Sequence, residues 1–267
     1  MSAIGDRVGS VAMYGTVAIV LAFLVAPIAV PIAVSFSNSE FLMFPPRGFS
    51  LRWYARALQE PEFATAFRLS LTLGLASTAV ALTLGTATAF ALVRHEFRWR
   101  AAVQAFALSP LIFPSLVTGI ALLQFFTMLR SERVFLHLVI GHVVITVPYV
   151  VRTVTASLQM LDPQMEDAAR TLGANGWRTF YRVTLPLIRP GLVAGGIFAF
   201  VTSFDNFTVS MWLKDAEHVP MPLAIFSFIT RFLDPTLAAL SALLILMSVA
   251  IILAVERVLG LQKAMSL

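Results

Sequence analysis

Residues 68–94 read RLSLTLGLASTAVALTLGTATAFALVR. Two arginines bracket a stretch without a single charged side chain. A bilayer span needs roughly 20 mostly apolar residues, and this stretch supplies them without interruption. In hydrocarbon the backbone must satisfy its own polar groups, which a helix does within one segment. A barrel strand would show short alternating segments instead. Gly74, Ala76, Ser77, Gly85 and Ala89 recur along the stretch, and small residues let a neighbouring helix approach closely. The reading is a transmembrane helix inside a bundle.

Working outward, five more charge-poor runs of similar size lie between Arg7 and Glu40, Arg100 and Arg130, Arg133 and Arg152, Arg189 and Asp205, and Asp234 and Glu256. The spacing predicts helices near 11–36, 68–93, 101–129, 135–158, 190–212 and 236–256, an all-α integral membrane bundle of six spans in one domain, 1–267. Composition agrees. The 267 residues are 58% hydrophobic and 12% charged, with mean hydropathy +0.86; a water-soluble domain carries about twice that charged fraction. There is no cysteine, which excludes disulfides and thiolate metal sites. The first run exceeds the ~7–15-residue core of a cleaved signal peptide and reads as a retained helix. The net charge of +5 reads as loops facing anionic lipid rather than nucleic acid.

Pro27, Pro31, Pro110, Pro114 and Pro148 sit inside these runs. Each removes a backbone donor and tends to kink its helix, which suits ordinary bundle packing or hinges in a moving transporter. The connecting segments differ. Residues 37–67 form a long polar segment in which Ser50 is placed to cap a short helix, LRWYARAL, with Trp53 and Tyr54 at headgroup level. That segment serves as an interfacial anchor or as a docking surface. With both termini inside, ten Lys/Arg, Arg7 and Lys263 among them, fall on the cytoplasmic side and eight outside, a slight bias of the expected sign. The dense run 94–100, RHEFRWR, points the same way.

The loop 159–189 has its own pattern, with EDAARTLGANGWRTFYRVTLP at 166–186. Asp162 is placed to cap a helix with Pro163 at its first position, and Glu166 and Asp167 suit a helix N-terminus. Ala168, Ala169 and Leu172 form a small apolar face. Gly173 and Gly176, with Ala174 between, permit a tight exit with positive φ. Trp177, Phe180, Tyr181 and Val183 suggest a second amphipathic helix. A short, smooth-faced helix of this kind fits a groove on a partner protein or lies on the membrane surface.

This segment resembles the EAA loop of importer-type ABC transporter permeases. That pattern is Glu-Ala-Ala, three residues, Gly, nine residues, an aliphatic residue, any residue, Leu-Pro. Here Asp167-Ala168-Ala169 is followed at the same intervals by Gly173, Val183 and Leu185-Pro186. The departure is Asp167 in place of Glu, with Glu166 just before it, so two acids compete for one role. The resemblance implies a type I importer permease fold, with this loop as the coupling helix that docks into a cytoplasmic ABC ATPase dimer. It implies a homologous second permease subunit and an extracytoplasmic solute-binding protein as further partners. It also implies a bacterial inner-membrane location with both termini cytoplasmic. Residues assigned to coupling are Glu166, Asp167, Ala168, Ala169, Leu172, Gly173, Ala174 and Gly176. More loosely, 35–54, 203–213 and 234–245 resemble spermidine/putrescine-type permeases, whose relatives also take opines, aminophosphonates and other amino-acid-like solutes.

Asp205 interrupts the fifth run, about 22 Å along a helix started at Pro190. A carboxylate at that depth is costly and faces a cavity or a partner. With Asn206, Phe204 and Phe207 it can meet an ammonium by charge pairing and cation–π contact. It can equally pair with Arg152 or Arg231, or cap a helix break. Tyr149 is a further candidate for the solute path. His137 and His142 lack nearby acids and read as packed or pore-lining residues, not metal ligands. No G-x-x-x-x-G-K-[ST] loop occurs, so ATP and Mg belong to a separate subunit. No catalytic constellation stands out, so the chain reads as a transport subunit and not an enzyme. An ion-coupled secondary transporter is the rival reading, but it needs paired membrane acids or a repeat.

Overall fold

A computed structural model describes residues 2–232 and 234–259. Lys263 of the charge tally lies outside the described residues, as does the side chain of Arg7. Every regular element among those described is helical: α1 Ser2–Ser35, α2 Arg52–Gln59, α3 Pro61–Arg94, α4 Arg100–Leu108, α5 Ser115–Met128, α6 Val134–Met160, α7 Pro163–Thr171, α8 Gly176–Thr179, α9 Leu185–Leu187, α10 Arg189–Phe204, α11 Thr208–Leu213, α12 Met221–Arg231 and α13 Thr236–Leu259. A 3-10 turn, Ser109–Leu111, follows α4, and a π-helical stretch, Phe180–Thr184, joins α8 to α9.

Three helices are long and apolar enough to span a bilayer: Met13–Ser35 within α1, then α3 and α6. Two bent pairs raise the number to at most five among the described residues, if each pair is one span, against the six expected. The run at 101–129 is not one helix as predicted. Pro110 and Pro114 lack the N–H groups that would carry the ladder through, and the chain turns by 103° between Arg100–Leu111 and Ser115–Met128. Pro27, Pro31 and Pro148 stay inside continuous helices. The helix predicted from 68 starts at Pro61, where proline at the first position and Glu62 in the first turn favour initiation.

The chain forms two compact units. One combines the residues up to Pro61 with Ser227–Ala254, the other is centred on Glu62–Phe226. In the first, the segment after α1 is tied down. Trp53 Nε1 donates to Ser37 O at 2.8 Å, Tyr54 and Ser35 share a 2.7 Å hydroxyl bond, and Arg56 pairs with Asp234 at 2.8 Å. Trp53 is buried, so it is not the headgroup-level anchor the sequence suggested. Its N–H needed a partner, and the Ser37 carbonyl provides one. Ser50 is not the cap expected of it: Leu51 takes that position without a side-chain cap bond, and Ser50 Oγ accepts from Arg52 N–H at 3.2 Å from one residue further out.

The second unit is built on α6 against α10. Gly195 sits where an added Cβ would lie 2.5 Å from Thr153 Oγ1 and 3.1 Å from Val150 Cα, so the missing side chain lets the two helices approach this closely. Val150, Val154, Leu158 and Ala199 are fully buried along the seam. A second core joins Leu73, Phe126, Leu138, Ile145, Val209 and Leu213.

A chain of polar contacts crosses the apolar interior. Ser77 Oγ donates to Leu73 O at 2.6 Å, so toward Ser203 Oγ, 2.8 Å away, it can only accept. Ser203 thus accepts from His142 Nδ1–H at 2.7 Å, which leaves Nε2 to accept from Ser210 Oγ at 3.0 Å. Every member is satisfied with a neutral imidazole protonated on Nδ1. The chain links α3, α6, α10 and α11. His137 stacks on Phe126 at 4.0 Å and meets Ser131 Oγ at 2.7 Å. Both histidines are buried packing residues.

Candidate functional site: the coupling loop and the helix break

The loop after α6 folds much as its capping signals require. Asp162 Oδ1 accepts from Gln164 N–H at 3.0 Å and Pro163 opens α7. Gly173 takes φ +85° and its N–H bonds Arg170 O at 2.9 Å, the left-handed exit that glycine adopts freely. Gly176 does not share this conformation; it opens α8, which Asn175 caps through Arg178 N–H at 2.9 Å.

The two competing acids point in opposite directions. Asp167 is exposed and makes a 3.6 Å pair with Arg170 on the same helix, a contact of little energetic weight in water. Glu166 is buried. Its Oε1 accepts from Thr184 Oγ1 at 2.6 Å, and its Oε2 lies 3.0 Å from Arg94 Nε. Arg94 Nε is off the hydrogen-bond line and Nη2 has no partner, so the contact is an ion pair rather than a fork. Three elements meet at one carboxylate: the end of α3, the helix α7, and the π-helical lead into α9. Glu166 is therefore no part of the exposed surface with which it was grouped. Its inward role was not legible because Arg94 and Thr184 lie far from it in sequence.

The outward face of α7 holds Asp167, Ala168 and Leu172, with Gly173 and Gly176 beyond it; Ala169 and Ala174 are half-buried. Leu172 is 89% exposed and Trp177 74% exposed. Of the small apolar face read from the sequence, Ala168 and Leu172 are left uncovered among the described residues, while Ala169 is partly covered.

At the other candidate site the predicted helix 190–212 is interrupted. α10 ends at Phe204, Asp205 is its C-cap, and α11 starts at Thr208. Asn206 Oδ1 accepts from Val209 N–H at 2.9 Å and starts the second helix. Asp205 is exposed at this break rather than buried mid-helix, and it makes no ion pair among the described residues. Phe204 is buried between Phe67 and Phe200, at 5.9 and 5.7 Å. Tyr149 is elsewhere. It stacks on Phe198 at 6.2 Å, about two turns of α10 before Asp205. The structure thus brings Phe204, Asp205 and Asn206 together and leaves Tyr149 apart.

Comparison with known proteins gives this geometry a context. Residues 81–262 match the family described as the binding-protein-dependent transport system inner membrane component. The spermidine/putrescine transport system permease protein PotC of Escherichia coli is 30% identical over 247 residues, covering 92% of this chain and 93% of the relative. The putrescine transport system permease protein PotI of the same organism is 32% identical over 84% of this chain and 82% of its own. The molybdate/tungstate transport system permease protein WtpB of Thermococcus kodakarensis is 30% identical over 69% and 71%. Among solved structures, a chain of a bacterial ABC transporter involved in the import of the acidic polysaccharide alginate superposes with TM-score 0.72 at 16% identity, covering 96% of both chains. The chain belongs to the binding-protein-dependent transport system inner membrane component family and is a permease subunit of an ABC importer.

Proposed function

We propose that this chain is one membrane half of an importer for small organic cations of the polyamine class. In this reading it is a single six-span permease domain with both termini cytoplasmic. Its partners are a homologous second permease, an extracytoplasmic solute-binding protein and a cytoplasmic ABC ATPase dimer that uses ATP and Mg. The observation that carries the substrate class is the exposed carboxylate of Asp205 at a helix break, next in sequence to Asn206. A carboxylate with no ion-pair partner among the described residues, inside an otherwise apolar stretch, suits an ammonium passing through. The polyamine names of relatives near 30% identity over most of the chain support the same class.

The exposed face of α7 is the docking element for the ATPase in this mechanism. ATP-driven closure moves α7; Glu166 passes the movement to α3 through Arg94 and to the α10 lead through Thr184. Rigid elements held by a buried, hydrogen-bonded carboxylate transmit displacement without slack. Tyr149 and Phe198 line the path further along α10.

The test is uptake of radiolabelled putrescine and spermidine by the complete importer, with molybdate as the competing class. Asp205→Asn is expected to slow polyamine uptake at least tenfold while leaving the complex assembled. Unchanged polyamine kinetics in that variant, or molybdate uptake that outcompetes both amines, overturns the assignment.

A further inference from the structure

A cavity of about 250 Å³ lies between the end of α3, the start of α4 and the last turns of α6. Leu92 and Val93 form one wall, immediately before Arg94, which reaches Glu166 of α7. The cavity is therefore at the coupling-helix end of this unit. Its polar lining residues are two arginines, Arg100 and Arg152, with Gln104, Gln159 and Thr155, and it includes no acid. Neither arginine pairs with a carboxylate among the described residues. Thr155 Oγ1 is buried there without a hydrogen-bond partner.

Two cations sharing a cavity repel each other unless an anion sits between them. Guanidinium forks match the oxygens of a phosphate, and the carboxamides and the orphaned hydroxyl add donors at the same place. A cavity of about 250 Å³ has room for a headgroup but not for acyl chains. Beside the cavity α4 presents apolar side chains outward, with Phe106 81% exposed, a surface along which chains can lie. Basic pockets between membrane helices on the cytoplasmic side take anionic headgroups.

We infer that this cavity is a phosphate-anion site filled by the headgroup of an anionic membrane lipid. Arg100 and Arg152 clamp the phosphate and Gln104, Gln159 and Thr155 complete its shell. The site does not depend on which solute is carried.

The test uses the full chain in its assembled transporter, delipidated in detergent, then titrated with dioleoylphosphatidylglycerol, with dioleoylphosphatidylcholine, and with inorganic phosphate, read by native mass spectrometry. The wild type is expected to retain phosphatidylglycerol at least tenfold better than phosphatidylcholine. Arg100→Gln/Arg152→Gln is expected to lose that preference. Arg100→Lys/Arg152→Lys keeps both charges and is expected to keep most of the lipid, which separates lost charge from lost fold. Equal retention of the two lipids, undiminished binding by the glutamine pair, or loss as complete in the lysine pair as in the glutamine pair overturns the site. Displacement of the lipid by equimolar inorganic phosphate overturns the lipid assignment.

Discussion

Replacing Glu166 by Gln removes a charge and almost no volume. The carboxamide oxygen still accepts from Thr184, 2.6 Å away in the wild type. Arg94, whose side chain is 15% exposed, is left without its counter-charge; the Glu166 side chain is 6% exposed. Removing one partner of a buried pair costs about 3–5 kcal/mol, because the remaining ion stays desolvated. Thr184→Val removes only the hydrogen bond to the carboxylate and costs about 1.5–3 kcal/mol. Replacing both ions with apolar groups, Glu166→Leu with Arg94→Met, is expected to recover most of the loss, since no buried charge remains. The assay is denaturant unfolding of the purified assembly in mixed micelles, run beside ATPase stimulation by solute-loaded binding protein. The single variants should be destabilised in the order Glu166→Gln then Thr184→Val. The apolar pair should be stable yet poorly coupled, with ATPase activity no longer responding to solute. A Glu166→Gln protein within 0.5 kcal/mol of wild type would refute the reasoning, because it would mean that Arg94 does not depend on Glu166.

Other consequences are separable. Gly173→Leu forces a branched side chain into φ +85°, a strain of about 1–2 kcal/mol; the chain should still insert while ATP-dependent uptake is lost, as measured in vesicles. His142→Leu leaves Ser203 and Ser210 without their shared partner, at about 1–3 kcal/mol for each orphaned group, and should lower the thermal midpoint, whereas Tyr149→Phe should not. Asp215 concerns pH. Burial opposes its ionisation, but hydrogen bonds from the His218 and Glu217 amides and from the His218 ring outweigh that and hold its carboxyl below the ordinary value. A depressed folded value means that the stabilisation is full above the ordinary carboxylate range and is lost as pH falls through the folded value. Protection of the Glu217 and His218 amides from exchange should therefore fall below pH ~4, and Asp215→Asn should make it independent of acid; unchanged acid sensitivity in that variant would rule out Asp215 as the titrating group.

How much was legible depends on the range of the interaction. The all-helical fold follows from charge-free runs, because solvation of the backbone leaves few alternatives in hydrocarbon. The caps at Asp162 and Asn175 and the turn at Gly173 are local, and the first and last were readable from neighbouring residues. The break at Asp205 was among the alternatives but could not be selected, since a polar residue in an apolar run equally serves a pair, a cavity or a helix end. Trp53 was misplaced because its partner, the Ser37 carbonyl, has no side-chain signal.

The sequence by itself determined that this protein is made of long apolar helices and that the segment at 166–186 matches the loop pattern of importer permeases. Both rest on patterns within a few turns of chain. Only the tertiary structure decided which of two adjacent acids faces inward. Successive residues on a helix are about 100° apart, so Glu166 and Asp167 cannot share an environment. Arg94 and Thr184, brought together by folding, select Glu166 for the interior and leave Asp167 on the exposed face. Desolvation makes that choice, and desolvation is set by distant residues.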